Sequence, residues 1–312
     1  MNCVPMKRLP VNRLLTVIVA AALALAGCTG ASAAAPSAGT STVVSAPTFD
    51  PVLHDALPVW VRDRGVLRVG TDASYPPASF FAPDGHSIIG FEPDLAEEIG
   101  QVLGVRLEFV VTDFDQVLAQ VRDHQLDLAM AAITDTAERE RDADFITYFT
   151  AGTSIVVQRG NPHGIIDLKD LCGTKVAVEA GTVQVDLLAR ASKGCTGPAI
   201  DVQTFDTNAD ALLQLRTGRV VAVLNDYPPA SYLASDDRTR AFFQLVSDTQ
   251  YEPGFYGIGV AIDQPLLRDT VRAALDRVIR SGQYAEVLHR WGVEDGAVPH
   301  TSVNVAGTAT AG

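Results

Sequence analysis

Short apolar runs alternate with amphipathic stretches along most of the chain. The pattern predicts strands at 66–71, 106–112, 126–133, 153–158, 175–180, 201–205, 220–225 and 255–262. It predicts helices at 92–104, at 114–123, after Gly181-Thr182, after a capping-box motif at Thr207–Asp210 and over 266–290, with a polar helical turn at 136–143. Near-continuous apolar strands between helices are typical of parallel sheets covered on both faces. We therefore expect an α/β fold.

The first 28 residues have the pattern of a secretory signal. Three basic residues precede an apolar run at 14–25, which is shorter than the ~20 residues that span a bilayer. The run ends in Leu25-Ala26-Gly27-Cys28, which resembles the bacterial lipobox. We predict a signal peptide at 1–27, lipidation at Cys28 and an extracytoplasmic location on the bacterial cell membrane. The alternative is ordinary secretion with an incidental cysteine.

Composition separates the ends of the chain from its body. An uncharged stretch rich in Ala, Ser, Gly and Thr follows Cys28, and this composition favours a flexible tether. We expect the tether to cover 28–57 and a second flexible segment to cover 297–312. The chain has 312 residues, and at roughly 150 residues per domain this length suggests two domains.

Charge and motifs exclude several classes of function. The chain has 37 acidic and 24 basic residues and a net charge of −13, which argues against nucleic-acid binding. It contains no GxSxG, P-loop or HExxH motif, and its six histidines are scattered without the spacing of metal ligands. The glycines at 254–259 lack the dinucleotide-binding register. We expect no enzyme activity, cofactor or metal site.

Two cysteines remain in the body once Cys3 leaves with the signal and Cys28 carries lipid. Cys172 and Cys195 would then lie in an oxidising compartment, where disulfides persist. We predict a Cys172–Cys195 disulfide, and the alternative is two buried thiols. Because there is no CxxC motif, the pair is expected to be structural.

Polar residues follow four of the predicted strands, in both halves of the chain. Asp72, Thr134, Glu179 with Thr182, and Asp226 take these positions. Ligands of open α/β sheets lie beyond the carboxyl ends of strands, although Asp and Thr also cap helices there. Because these positions occur in both halves of the chain, they predict a cleft between two lobes.

The charges available to this cleft match a zwitterion. Arg139 can bind a carboxylate through paired N–H groups, and the helix that begins after Thr182 offers backbone amides to the same group. Asp226 and Asp72 can each pair with an ammonium group. Arg139 also lies in a run of charged residues, and spacing alone leaves a solvated surface position open.

Six sequence blocks, in order, resemble family 3 of the extracellular solute-binding proteins, the receptors of ABC importers for polar amino acids. The blocks are VGTDASYPPASF (69–80), GFEPDLAEEIG (90–100), DLAMAAITDTAERERDADF (127–145), LCGTKVAVEAGTVQ (171–184), ALLQLRTGRVVAVLND (211–226) and HRWG (289–292). The resemblance covers about 58–295. It implies a two-lobed, type II periplasmic-binding-protein fold with two hinge crossovers, lobe 1 at 58–156 and 253–296 and lobe 2 at 157–252.

The resemblance also implies a role for individual residues. Arg139 would clamp the ligand carboxylate, which overrules the surface interpretation of this arginine, and Asp226 would pair with the α-ammonium group. Tyr75 and Phe91 would enclose the ligand side chain. Further contacts are implied for Asp72, Ala132, Thr134, Thr182 and Gln184. Glu92 stands where the family has Asp, and we expect it to cap a helix.

Glu179 departs from the family, whose members carry Lys, Leu or Gln there. Together with Asp72 it would make the side-chain end of the cleft acidic, which favours arginine, lysine or ornithine. Glutamine or another neutral polar amino acid is the alternative. We expect a monomer that delivers its amino acid to a membrane permease and its ATPase.

Two other functions remain open. A few family relatives are dehydratases of prephenate or arogenate, in which a carboxylic acid in the cleft donates a proton, and Glu179 is the candidate acid here. The chain could also be a ligand-sensing lobe for a separate membrane signalling partner.

Overall fold

The computed structural model describes residues 48–306. Its α-helices are α1 (Pro51–Ala56), α2 (Val59–Arg64), α3 (Phe91–Leu103), α4 (Val117–Arg122), α5 (Val183–Lys193), α6 (Asn208–Arg216), α7 (Tyr227–Ser235), α8 (Pro265–Ser281) and α9 (Gln283–Trp291). Its strands are β1 (Val66–Thr71), β2 (Ser74–Tyr75), β3 (Ser79–Phe81), β4 (Ile88–Ile89), β5 (Arg106–Val111), β6 (Leu128–Ala129), β7 (Asp144–Gln158), β8 (Lys175–Glu179), β9 (Asp201–Phe205), β10 (Ala222–Asp226), β11 (Phe243–Leu245) and β12 (Tyr251–Val260).

The main sheet is mixed rather than wholly parallel. Its strand order is β5-β1-β6-β12-β7-β10-β8-β9. β1 pairs in parallel with β5 and β6, and β8 with β9 and β10. The two long central strands, β7 and β12, pair antiparallel with each other and with their other neighbours. The expectation of parallel sheets therefore fails at the centre, because an apolar run reports burial and not strand direction.

The buried apolar residues form separate cores, which follow one another along the length of β7. One core holds residues between Leu57 and Ala151 together with residues between Tyr256 and Val298. Two further cores hold residues between Ile155 and Val246. The chain thus crosses twice between two lobes. The first change of core falls between Ala151 and Ile155, a few residues before the lobe boundary that we propose at 156/157. The second falls between Tyr251 and Phe255, where we propose the boundary at 252/253.

Several predicted elements differ in extent. The strand expected at 126–133 pairs only over β6, because the chain turns away at Ala132, whose φ is +50°. The helix expected at 266–290 is broken into α8 and α9 at Gly282, whose φ is +87°. α7 was not predicted, since two prolines obscure its beginning, although proline fits the first turn of a helix.

Both ends of the body are more ordered than composition indicates. The expected tether at 28–57 ends in α1, which Asp50 caps by accepting hydrogen bonds from Val52 and Leu53. The expected flexible segment at 297–312 is docked as far as Ala306, with Thr301 only 6% exposed. Composition fails here because single apolar residues, Leu57 and Val298, reach the core of lobe 1, and because specific hydrogen bonds hold the small polar residues. The signal peptide and Cys28 lie outside the described residues.

The predicted disulfide between Cys172 and Cys195 is confirmed, with 5.7 Å between the Cα atoms. It ties the segment before β8 to the end of α5 in lobe 2. The capping of α6 by Thr207 is also confirmed, since its hydroxyl accepts from the Asp210 amide at 3.1 Å.

Candidate functional site

A small cavity lies where the two lobes meet, at the carboxyl ends of four parallel strands. Its volume is about 20 Å³. Nine of the ten predicted ligand-binding residues line it, and they are Asp72, Tyr75, Ala132, Thr134, Arg139, Glu179, Thr182, Gln184 and Asp226. Asp72 follows β1 and residues 130–134 follow β6, whereas Glu179 and Asp226 end β8 and β10. Parallel pairing within each lobe therefore brings these side chains to one edge of the sheet.

Asp226 is the centre of a hydrogen-bond network that joins the lobes. Its carboxylate accepts from Gln184 Nε2 at 2.7 Å and from the Tyr256 hydroxyl at 2.6 Å. Its backbone amide donates to the Tyr75 hydroxyl at 2.8 Å. Burial raises the pKa of Asp226 to about 6, against the lowering effect of these hydrogen bonds and of the Arg139 charge. A ligand ammonium group at this carboxylate would favour its charged form.

Arg139 also bridges the lobes, from the short 3₁₀ turn at Arg139–Arg141. Its Nη1 donates to the Thr134 carbonyl oxygen at 2.7 Å and its Nη2 to the Gly181 carbonyl oxygen at 2.9 Å. Burial lowers the pKa of Arg139 to about 10, so the guanidinium remains charged at neutral pH. A guanidinium has five N–H donors in a planar fork, which suits it to hold a carboxylate here.

The beginning of α5 faces the same cavity. Gly181 has φ +73°, and a Cβ there would lie 2.9 Å from the Asp115 side chain, so the turn requires glycine. The Thr182 hydroxyl donates to the Glu179 carbonyl oxygen at 2.8 Å. These contacts direct the first turn of α5, with its partial positive charge, toward the cavity.

The opposite end of the cavity is acidic. Asp72 and Glu179 are 7% and 6% exposed, and Glu179 Oε1 is buried without a hydrogen-bond partner among the described residues. Burial and then the neighbouring Asp72 charge raise the pKa of Glu179 to about 10. Burial also raises the pKa of Asp72, although the Ser74 hydroxyl donates to it at 2.6 Å. A cationic group placed between these two carboxyls would pair with both.

Phe91 was predicted to contact the ligand, and the structure contradicts this. Its side chain is fully buried in the core of lobe 1, where it stacks on Phe149 with ring centroids 5.0 Å apart. Phe91 is the first residue of α3, whose apolar face turns toward the core. Phe114 lines the cavity instead, and the Arg139 guanidinium lies 5.4 Å from its ring centroid. Its position just beyond β5, at another strand end, was the available sequence signal.

Glu92 was expected to cap a helix, and the structure contradicts this too. Its carboxylate makes no cap bond in α3 and is fully buried behind the cavity wall. It accepts from the Ala132 amide and the Ser79 hydroxyl, both at 2.6 Å, and from the Tyr148 hydroxyl. Glu92 thus holds Ala132 in its left-handed conformation, which sequence reasoning missed because the partners are distant in the chain.

Residues 48–306 contain no group of three or more metal-ligating side chains and no helix long and apolar enough to cross a membrane. At one end, the cavity has the Arg139 guanidinium, the first turn of α5 and the Asp226 carboxylate. At the other end it has the carboxyl groups of Asp72 and Glu179. This arrangement can bind an amino acid by its charges.

Comparisons with known proteins agree with this geometry. The family model of the bacterial extracellular solute-binding proteins, family 3, matches residues 67–294. The arginine-binding protein ArgT of Corynebacterium glutamicum is 29% identical over 291 residues, which cover 92% of this chain and 93% of ArgT. The L-cystine-binding protein TcyJ of Escherichia coli K12 is 35% identical over 167 residues, which cover 53% of this chain and 60% of TcyJ.

Solved structures confirm the predicted two-lobed type II fold. An ancestral arginine-binding protein bound to glutamine is 34% identical with a TM-score of 0.68, over 74% of this chain and 99% of that chain. The ancestral amino acid-binding protein AncCDT-1, described as a precursor of cyclohexadienyl dehydratase, is 31% identical with a TM-score of 0.67, over 74% of this chain and 97% of that chain. The proteins named here are binding proteins by description.

Proposed function

The chain belongs to family 3 of the bacterial extracellular solute-binding proteins, and from that premise we propose that it captures an L-amino acid for an ABC importer. The observation that carries the proposal is the placement of Arg139 and Asp226 on facing lobes around one cavity. Arg139 and the first turn of α5 would bind the carboxylate, and Asp226 would bind the ammonium group. Such charge-assisted hydrogen bonds stabilise a complex by ~1.5–3 kcal/mol each.

The ligand is a basic amino acid, with arginine as the first choice. Asp72 and Glu179 form an acidic end, and Arg139 is the only cation among the described residues that line the cavity. Glu179 Oε1 lacks a hydrogen-bond partner, and a guanidinium group would supply one. Several similar proteins are named as arginine-binding proteins, among them ArgT and a protein of Pseudomonas aeruginosa that is 28% identical. Glutamine remains the alternative to test.

Binding would close the lobes, and the closed form would deliver the amino acid to a membrane permease.

The protein would act as a monomer, held at the membrane by lipid on Cys28. A Cys28→Ala chain should then leave the membrane fraction and appear in soluble extracytoplasmic material, as judged by fractionation. An unchanged distribution would contradict the anchor.

Ligand binding to purified protein tests the central proposal. Protein unfolded and refolded to remove bound ligand is titrated with arginine, lysine, ornithine, glutamine and cystine by calorimetry. We expect arginine to bind and to raise the melting temperature, because it binds only the folded state. If the protein bound glutamine but not arginine, Glu179 would not select a basic ligand. If it bound no amino acid, the proposed function would be contradicted.

Substitution of Arg139 tests the site itself. Arg139→Ala should weaken binding at least about hundredfold, since a paired charge-assisted contact to the carboxylate is lost. Arg141→Ala is the matched control, because Arg141 lies two residues away on the exposed side of the same turn. Equal affinities of the two variants would contradict the site assignment.

One observation favours a second function, dehydration of prephenate or arogenate. Glu179, with its pKa near 10, is a protonated acid in the cleft, and AncCDT-1 is described as a dehydratase precursor. Incubation with each substrate, followed by the absorbance of aromatic product, decides this point. Turnover that Glu179→Gln abolishes would establish it.

A further inference from the structure

The segment Val298–Ala306, here called the C-terminal strap, lies beyond the family match, which ends at residue 294. It is nevertheless docked on lobe 1 along its length. The Val298 amide donates to the Tyr284 hydroxyl at 2.9 Å, and the Thr301 amide to Asp276 at 3.0 Å. Val303 forms a β-bridge with Ile146 in β7. The strap is therefore a specifically bound element of the lobe.

Asn304 fastens the end of the strap to the beginning of β7. Its φ is +52°, a conformation that asparagine tolerates better than most residues. Its Oδ1 accepts from the Phe145 amide at 2.8 Å and its Nδ2 donates to Asp144 at 2.8 Å. The Asn304 amide donates to the Phe145 carbonyl oxygen at 3.1 Å. Three hydrogen bonds thus set the position of the two residues that follow.

Those two residues hold the carboxyl groups on either side of Arg139. The Val305 amide donates to Asp135 Oδ2 at 2.8 Å, and the Ala306 amide donates to Glu140 Oε1 at 2.9 Å. Asp135 is 5% exposed, and its own amide donates to the Phe255 carbonyl oxygen at 2.7 Å. The strap therefore clamps the turn 134–140 from outside, while the Arg139 side chain reaches inward to the cavity.

The strap also reaches the opening of the cleft. A larger cavity of about 680 Å³ lies beside the small one. Val305 lines it together with Thr134, Arg139 and Thr182, which also line the small cavity. One strap residue thus forms part of the wall past which a ligand would enter.

We propose that the C-terminal strap contributes to amino-acid affinity, because it holds the turn 134–140 so that Arg139 and Thr134 face the ligand. This inference rests on the proposed function. Asn304, Val305 and Ala306 are positioning residues, since they act on the ligand through Asp135 and Glu140.

The test compares two asparagine substitutions. Asn304→Gly removes the two side-chain hydrogen bonds but permits the backbone conformation. Asn161→Gly is the matched control in lobe 2, because Asn161 has φ +46° and its side chain also makes two hydrogen bonds, both with the backbone of Ile165. Asn161 lines neither of the two cavities. The readouts are arginine affinity at 15 °C, melting temperature and hydrogen exchange of amides 134–142.

We expect both variants to melt at a lower temperature, but only Asn304→Gly to bind arginine about tenfold more weakly and to exchange faster at 134–142. Wild-type affinity and exchange in Asn304→Gly, with a lowered melting temperature, would overturn the inference and leave the proposed function intact. Failure of the wild-type chain to bind any amino acid would overturn both.

Discussion

Buried carboxyl groups determine the chemistry of the cleft at the scale of single residues. Five of them lie in or directly behind its walls, and they are Asp72, Glu92, Asp135, Glu179 and Asp226. Burial is the leading cause of a raised pKa for each of them. A carboxyl that binds its proton more tightly in the folded protein stabilises the fold at low pH. The ligand-free protein should therefore lose stability as these groups ionise.

Asp226 gives a prediction with a defined pH range. Its pKa rises from 3.8 to about 6 on folding, so its stabilising effect is complete below pH 3.8 and is lost as the pH rises through 6. A shift of about two pKa units corresponds to ~3 kcal/mol. Between pH 4 and 8, the unfolding free energy of the ligand-free wild type should thus fall relative to that of Asp226→Asn.

Urea unfolding at several pH values measures this difference. Asp237→Asn serves as the control, because Asp237 lies at the surface of lobe 2 with its side chain 88% exposed. Parallel pH profiles for the wild type and Asp226→Asn would show that Asp226 is ionised in the same way in the folded and unfolded chain.

Glu179 is the residue on which we expect ligand specificity to depend. Glu179→Gln preserves the shape of the side chain but removes the charge that it could present to a guanidinium. We expect arginine to bind at least about tenfold more weakly, because a charge-assisted hydrogen bond is lost, whereas glutamine should keep its affinity. Calorimetry with both ligands measures the change. Equal losses for arginine and glutamine would indicate a general disturbance of the cleft.

At the scale of elements, the disulfide and the binding cavity should be independent. Cys172 and Cys195 are 23 residues apart in sequence, and neither lines the cavity. By the chain-entropy estimate a loop of this length is stabilised by ~3 kcal/mol. The double variant Cys172→Ser, Cys195→Ser should therefore unfold at a lower urea concentration but bind arginine with unchanged affinity.

Reduction of the wild-type protein is the control for that variant and should reproduce its unfolding midpoint. A loss of affinity in proportion to the loss of stability would instead mean that the disulfide region is coupled to the cleft.

The short strands that end at the cleft were predictable from the sequence, and the long central strands were less so. β1, β8 and β10 are short apolar runs followed by a polar residue, which is a local pattern. β7 extends over 15 residues, and only its last part was predicted. A strand that passes from one lobe to the other meets a different environment in each half, so no single periodicity describes it.

At the scale of the whole molecule, hydrogen bonds between the lobes should control closure. Tyr256 lies in β12 and donates to Asp226 across the cleft. Tyr256→Phe removes this bond to a carboxylate, a loss of ~1.5–3 kcal/mol. We expect ligand affinity to fall about tenfold or more and the ligand-induced decrease in radius of gyration, measured by X-ray scattering, to need more ligand.

Tyr232→Phe loses a hydroxyl that contacts Arg238 within lobe 2, so it is the matched control and should close as the wild type does. If Tyr256→Phe bound and closed as tightly as this control, the bond between the lobes would have no part in closure.

The sequence by itself determined the family, the two-lobed α/β fold and nine of the residues that line the cavity. Each of these features depends on a short segment of sequence, in which a strand end, a glycine turn or a charged motif fixes the local backbone. The disulfide also followed from the sequence, because few cysteines leave few pairings.

Only the tertiary structure decided which distant residues meet. Phe91 turned into the core and Phe114 toward the cavity, because the packing of α3 on lobe 1 selects the face. Glu92 reaches Ala132, Tyr256 reaches Asp226 and the strap reaches Asp135 across separations of 40, 30 and 170 residues. Such contacts depend on how whole elements pack, and no spacing within one segment records them.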